Sequence, residues 1–422
     1  MTMPGAPPRV RRRKIDEVSR KMTAQMRSHA GSPVEVLRIF AKLGVTSFGG
    51  PIAHIGYFRH EFVVRRRWLD EPAYADLVGL CQFLPGPASS QVGFSLGLMR
   101  AGYIGGLAAW TAFTLPSAIL LVLFAYLGRS LQGPVGLGLL HGLKLVAVAI
   151  VAQAVWSMAR TLCPDRNRAS MAVVAALIIL YAASSAAQIA VITLGGIAGF
   201  WLCRAAPIAP AAHMTIPVSR SVGLAALAAF FLLLGGLPVL HRISGSPGVA
   251  LFDAFYRSGA LVFGGGHVVL PLLHEAVVAP GWVSDNVFLA GYGAAQAVPG
   301  PLFTFSAYLG TVVAISPHGV MGAIVSLIAI FLPGLLVLMG TLPFWQEFRR
   351  RVSAQAIMRG VNASVVGLLG AALYNPVWTS AVNTIEDVAL AVVGFLSLTI
   401  WKLPPWVVVV FLAGAGALAV SI

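Results

Sequence analysis

Two glutamines, Gln82 and Gln296, each stand three residues ahead of a Pro-Gly-Pro, Pro85-Gly86-Pro87 and Pro299-Gly300-Pro301, inside apolar sequence. Proline removes a backbone donor and breaks a helix, and glycine lets a ligand approach the main chain. If a half-helix restarts at the second proline, its first-turn N–H groups are unpaired, near Ala88-Ser89-Ser90 and Leu302-Phe303-Thr304. Such an end is the positive pole of a helix dipole and suits an anion, with each glutamine amide as a further donor. Two Phe-Gly-Gly segments, Phe48-Gly49-Gly50-Pro51 and Phe263-Gly264-Gly265-Gly266, supply a second pair of broken-helix tips. Lys42, one turn before the first of these, and Lys144, whose repeat partner is Asn362, are candidates for the charge an anion needs. The chemistry expected is capture of an oxyanion by main-chain donors, Ser89 among the residues around it.

Other chemistries find little support. "FGGGHVV" is not followed by a Gly-Lys-Ser/Thr, so an ATP-driven pump is not indicated, and no HExxH, GxSxG or paired-acid spacing marks an enzyme. Cys81, Cys163 and Cys203 have neither CxxC nor metal-ligand spacing, which leaves no cofactor or metal to expect. Membrane-embedded acids are too sparse for a metal-cation carrier. His54, His267, Glu275 and Asp253 could relay protons or serve interfacial solvation, and both readings stay open.

The elements that must position these residues lie in a bilayer. With 58% hydrophobic and 10% charged residues in a 422-residue chain, the apolar runs cover most of its length. The 26 prolines, many inside those runs, point to interrupted helices of the kind transporters use. The net charge of +15 comes from Lys and Arg clustered in a few places, which report orientation rather than a nucleic-acid face. Residues 1–32 read as a retained basic cytoplasmic tail.

A repeat organises the rest. The Phe-Gly-Gly, the His-Glu pair (His60-Glu61, His274-Glu275), the Trp (Trp68, Trp282) and the Gln-x-x-Pro-Gly-Pro recur in order, and "AFTLPS" from Ala112 answers "AIFLPG" from Ala329. From Pro33 to Ser47 a helix would reach only roughly 21 Å, short of a hydrocarbon core of roughly 30 Å. A hairpin turning at Phe48-Gly49-Gly50-Pro51 returns Arg65, Arg66 and Arg67 to the cytoplasm, and a second turns at Pro-Gly-Pro; the rival, in which each Phe-Gly-Gly segment crosses fully, keeps the overall parity but puts those arginines outside. Four spans follow, near 103–128, 134–158, 169–186 and 187–204, and one more near 220–240 carries the chain across. The fold expected is an all-α polytopic membrane protein with two inverted-topology repeats, 33–204 and 249–422. Each holds two re-entrant hairpins and about four transmembrane helices, and the 205–248 linker holds one extra transmembrane helix. The absence of Lys or Arg between Arg257 and Arg349 agrees with an external face for the second pair of hairpins.

At these residues the chain resembles the two-domain form of the chromate ion transporter family, marked here by Phe48-Gly49-Gly50-Pro51, Gln82 to Pro87 and Leu115-Pro116-Ser117. The second copy departs from the pattern, with Gly266 for Pro51 and Gly334 for Ser117, which implies that the halves do not share the work equally. The resemblance implies export of chromate, a tetrahedral dianion, from the bacterial cytoplasm, with resistance as the result. The protein would sit in the inner membrane, its N-terminus cytoplasmic and its C-terminus external. Sulfate has nearly the same shape and charge, so a sulfate or general oxyanion carrier stays the alternative, followed by a channel and an intramembrane enzyme. Proton coupling is left open, and a dimer is compatible with the chain.

Overall fold

The structure, a computed structural model, describes residues 31–128, 133–182, 184–204, 218–263, 265–345 and 351–419, so nearly all of the expected tail lies outside the described residues. Among the described residues the chain is wholly helical, with no strand. Helix α1 (Pro33–Thr46) is capped by the Ser32 hydroxyl and started by Pro33. Gly49 and Gly50, at φ +98° and +74°, end it and start α2 (Gly50–Arg59), which continues as a π turn over His60–Arg65. Helix α3 (Glu71–Phe83) leads to Pro-Gly-Pro, and α4 (Ala88–Gly128) leaves it.

Helix α4 is two helices. Ala101 and Gly102 have non-helical dihedrals, and Gly97 packs against Gly105 so closely that a Cβ on either would strike the other's carbonyl. Residues eight apart in a straight helix are about 12 Å apart, so the chain reverses here. Then come α5 (Pro134–Leu162), α6 (Arg166–Tyr181), α7 (Ser185–Leu202) and the long connector α8 (Arg220–Ser244). The second half repeats the order with α9 (Pro247–Ala260), α10 (Val269–Val277), α11 (Asp285–Ala295), α12 (Phe305–Val312) and α13 (Gly319–Thr341). It closes with α14 (Val352–Ala372), the short α15 (Thr379–Ala381), α16 (Ile385–Thr399) and α17 (Pro405–Ala419). Five of these stretches are long and apolar enough to cross a bilayer: Ala88–Gly128, Pro134–Leu162, Arg220–Ser244, Gly319–Phe344 and Val352–Ala381. This is a multi-pass membrane protein.

The continuous apolar sequence from 169 to 204 divides earlier than the expected 186/187. The Ser184 hydroxyl accepts from the Ala187 N–H and so caps a new helix, putting the break at 182–184. The first helix thus ends at Tyr181 and the next begins at Ser185, on a capping signal hidden in a run of alanines and serines.

Ion pairs fix where the hairpins open. Glu35, at the start of α1, meets Arg66, just past α2, at 3.9 Å and Arg100, at the foot of the first half of α4, at 3.1 Å. Arg100 also lies over the Trp68 ring, 5.0 Å from its centroid. Both hairpins therefore open on one face, which we call face A. The equivalent contact in the second half is the Ala314 N–H donating to the Trp282 carbonyl at 3.0 Å. Face A also collects the ends of α5 and α7 and the first turns of α14, where Arg359 donates to the Cys203 carbonyl at 3.0 Å. The opposite ends meet on face B, where His141 near the start of α5 pairs with Asp387 at the start of α16 at 2.6 Å.

Glu61 anchors the first hairpin. Burial opposes its charge, yet hydrogen bonds from Arg66 (2.6 Å) and Arg65 (3.1 Å) outweigh that and hold its carboxyl below the ordinary range. A depressed carboxyl stabilises the fold above its unfolded pKa and loses that contribution as pH falls through the folded value. Glu61→Gln should therefore cost about 1–2 kcal/mol at neutral pH, and the gap in thermal melting from the parent should begin to narrow only below the ordinary glutamate value of 4.5 and close as pH falls further through the folded value.

Candidate functional site

The two halves are clasped through the segments that the sequence singles out. The Gly86 N–H donates to the Val262 carbonyl at 2.8 Å, and the Gly300 N–H donates to the Ser47 carbonyl at 2.9 Å. Ser47 and Val262 hold the same position, immediately before each Phe-Gly-Gly. Each Pro-Gly-Pro is thus bonded to the broken helix of the other half, and the relation is reciprocal. Both glycines need their freedom, with φ of +109° at Gly86 and +101° at Gly300.

The third motif closes the same crossing. A Cβ on Gly86 would stand 2.8 Å from Gly334 Cα, and one on Gly300 would stand 2.9 Å from Ser117 Oγ. Ser117 and Gly334 are the equivalent residues of the two Leu-Pro-Ser/Gly stretches. A side chain at 334 would press on Pro87 Cδ at 3.2 Å and Gly86 Cα at 3.3 Å, beside Gln91, whose Nε2 donates to the carbonyls of Pro85 and Gly334, both at 2.9 Å. The second departure has a similar cause. A Cβ on Gly266 would lie 3.0 Å from Pro51 Cγ, so the two Phe-Gly-Gly tips touch there and there is little room for a second proline.

Pro87 and Pro301 sit at the N-cap rather than at the first helical position, since the Pro87 carbonyl accepts from Gln91 N–H and the Pro301 carbonyl from Thr304 N–H. The free N–H groups therefore belong to Ala88, Ser89 and Ser90 in one half and to Leu302 and Phe303 in the other. Around them, three buried hydroxyls lack a partner among the described residues, Ser47 Oγ, Ser90 Oγ and Thr114 Oγ1, together with one acceptor, Gln91 Oε1. Unpartnered buried hydroxyls and amides are costly to a fold, and their gathering beside helix N-termini is what a polar ligand would satisfy. His54 is fully buried here, its Nε2 at 3.2 Å from the Ser47 carbonyl and its Nδ1 at 3.5 Å from Ser89 Oγ.

The expected residues divide. Phe48, Gly49, Gly50, Pro51, Pro85, Gly86, Pro87, Ser89, Gln296, Pro299, Gly300 and Pro301 belong to the crossing segments, with Gly265 at φ +152° beside them, while Gly264 lies outside the described residues. Gln82 does not join them, because its side chain is exposed on α3. Gln91 stands at the crossing instead, with both Nε2 protons committed to the Pro85 and Gly334 carbonyls. It was missed because the second copy has Phe305 there, so the repeat gave no signal; a polar Ser-Ser-Gln run opening an apolar helix was the cue available. Lys42 is exposed. Lys144 Nζ donates to Asn286 Oδ1 at 3.1 Å and the Ser380 carbonyl at 3.2 Å, and lines a cavity of about 490 Å³ toward face B. Asn286 and Gln296 are separated by roughly 15 Å of α11, so the amine stands apart from the crossing. Asn362 is half-buried on α14, with Oδ1 unpartnered among the described residues. His267 bonds Tyr292 at 2.8 Å, and Asp253 pairs with Arg257 at 2.6 Å.

The family described as Chromate transporter matches residues 34–200 and again 249–418. A probable chromate transport protein of Synechococcus elongatus is 27% identical over 415 residues, 91% of this chain and 95% of the relative. A chromate transport protein of Pseudomonas aeruginosa is 28% identical over 392 residues, 89% of each chain. An uncharacterized transporter of Bacillus subtilis matches only 37% of this chain but 88% of its own length, at 28% identity, and is thus about one repeat long. No solved structure matches. With both halves covered, the chain belongs to the chromate transporter family, a family of transport proteins and not of enzymes.

Proposed function

We propose that this protein carries chromate out of the bacterial cytoplasm across the inner membrane, driven by the membrane potential, and so confers resistance. Face A is cytoplasmic in this reading, because Arg65, Arg66, Arg67, Arg100, Arg160, Arg204, Arg220 and Arg351 gather there. The C-terminal end of α17 is then external and the two repeats are inverted. The observation that carries the site is the reciprocal clasp, Gly86 to Val262 and Gly300 to Ser47, which brings four broken-helix tips and unpartnered buried polar groups together. Moving two negative charges outward with the interior negative releases roughly 4.6 kcal/mol per 100 mV, so no nucleotide is required. The repeats rock about the clasp, exposing it in turn to each face, and Lys144 in its cavity attracts the anion at the outer mouth.

The hydroxyls give a test in which binding and folding separate. Ser47→Ala and Ser90→Ala each remove a buried group that has no protein partner, so protein stability should hold or rise. Each should nevertheless raise the chromate concentration for half-maximal flux roughly tenfold, the weight of one hydrogen bond to an ion. Unchanged half-saturation in both variants would remove these residues from the path.

A further inference from the structure

Face A carries a second polar feature that the clasp does not use. Where α5 ends, α6 begins and α7 ends, a cavity of about 280 Å³ is lined by Arg166, Arg168, Arg204 and Arg359 against one carboxylate, Asp165. Asp165 is committed to Arg168 at 2.6 Å. Arg359 is braced by the Cys203 carbonyl, and Arg204 by the Phe200 carbonyl and the Phe200 ring, 4.5 Å from its centroid. Each brace engages only part of a five-donor guanidinium, so among the described residues the cavity keeps three positive charges in excess of its one carboxylate, with guanidinium N–H groups left for whatever fills it.

Directly along the same two helices runs an apolar groove of about 390 Å³, lined by Ile192, Gly196, Ile197, Trp201, Ile357 and Val361. Gly196 makes it: a Cβ there would press on the Ile357 and Val361 methyls, both at 3.3 Å. Arg204, which lines the cavity, lies over the Phe200 and Trp201 rings that line the groove, 4.5 and 5.8 Å from their centroids, so the charged cavity adjoins the head of the groove. Its outer wall faces outward, Trp201 being 69% and Ile197 55% exposed. A free phosphate would satisfy the cavity but leave the groove unfilled, and an uncharged lipid would leave three arginines without a counter-charge. One molecule satisfies both.

We propose that this cavity and groove bind an anionic glycerophospholipid, its phosphodiester held by Arg166, Arg204 and Arg359 and one acyl chain lying along α7 and α14. The lipid tethers α6 and α7 of the first half to α14 of the second, one turn from Asn362, and so stiffens the joint between repeats on face A. The proposal does not depend on which ion the protein carries.

Full-length protein purified in neutral detergent is titrated with dioleoylphosphatidylglycerol and, separately, with dioleoylphosphatidylcholine, with bound lipid counted by native mass spectrometry. One phosphatidylglycerol should be retained at concentrations where phosphatidylcholine is not. The double variant Arg166→Ala/Arg204→Ala should bind it about thirtyfold more weakly, the weight of two interfacial charges. Thr193 is exposed at the groove, so Thr193→Trp blocks it without entering the α7–α14 contact and should also weaken binding several-fold. Equal retention of the two lipids overturns the proposal. So does displacement of the lipid by millimolar inorganic phosphate together with an unaffected Thr193→Trp, which would mark a simple anion site.

Discussion

Gly86→Ala is expected to abolish chromate flux, whereas Gly300→Ala keeps part of it. Both residues sit at positive φ, +109° and +101°, so alanine at either is strained by about 1–3 kcal/mol. What the new methyl meets differs. At position 86 it stands 2.8 Å from Gly334 Cα, which is main chain and cannot yield without moving α13. At position 300 it stands 2.9 Å from Ser117 Oγ, which can rotate, and 3.2 Å from the Phe113 carbonyl. Overpacking therefore adds about 1–3 kcal/mol mainly at Gly86. At matched protein levels we expect flux roughly thirtyfold or more lower in Gly86→Ala than in Gly300→Ala. Adding Ser117→Gly should restore much of the loss in Gly300→Ala and nothing in Gly86→Ala. Equal losses in the two single variants would mean that the clasp is not as asymmetric as the contacts at Gly334 and Ser117 imply.

Gly142→Ala and Gly360→Ala should each cost about 3 kcal/mol of stability, read as a large fall in melting temperature of the detergent-purified protein. These two residues are repeat equivalents and do equivalent work. A Cβ at Gly142 would collide with the Leu412 carbonyl of α17, and one at Gly360 with the Gly195 carbonyl of α7. In each case a helix of one half crosses a terminal helix of the other, backbone to backbone. Close approach of small residues is how helices associate where lipid provides no hydrophobic drive, and a methyl forces the backbones apart. Gly370 is the control: it lies within α14 and a Cβ there meets nothing within 4 Å, so Gly370→Ala should be neutral or slightly stabilising. The two crossing variants should fall together, since the halves exchange the same contact.

The broken helices were legible because glycine and proline act locally. Phe48-Gly49-Gly50-Pro51 and the two Pro-Gly-Pro segments specify their own turns. The break before Tyr103 was legible for the same reason, Gly102 providing a conformation at φ +65° that other residues avoid. What sequence could not supply was partnership across the halves. Nothing in "QFLPGPASS" says that Gly86 will bond Val262, 176 residues away. Gln82 and Lys144 stand apart from the crossing for related reasons. A repeated polar residue need not face the repeat's centre, and the long lysine side chain reaches Asn286 and Ser380 toward face B rather than the helix tips. Gln91 does the opposite, being unrepeated, with Phe305 in its place, and yet at the centre. The departures at Gly266 and Gly334, read in the sequence only as asymmetry, are steric consequences of Pro51 and of the Gly86–Gln91 pair meeting there.

The most direct test of the central claim is uptake of radiolabelled chromate into everted membrane vesicles under an imposed potential, positive inside the everted vesicle, with sulfate as competitor. Saturable uptake that rises with the potential, is weakly inhibited by sulfate and is lost in Gly86→Ala is the predicted result. Chromate uptake that equals that of vesicles lacking the protein, or that is indifferent to the potential, would contradict potential-driven chromate export through the clasp.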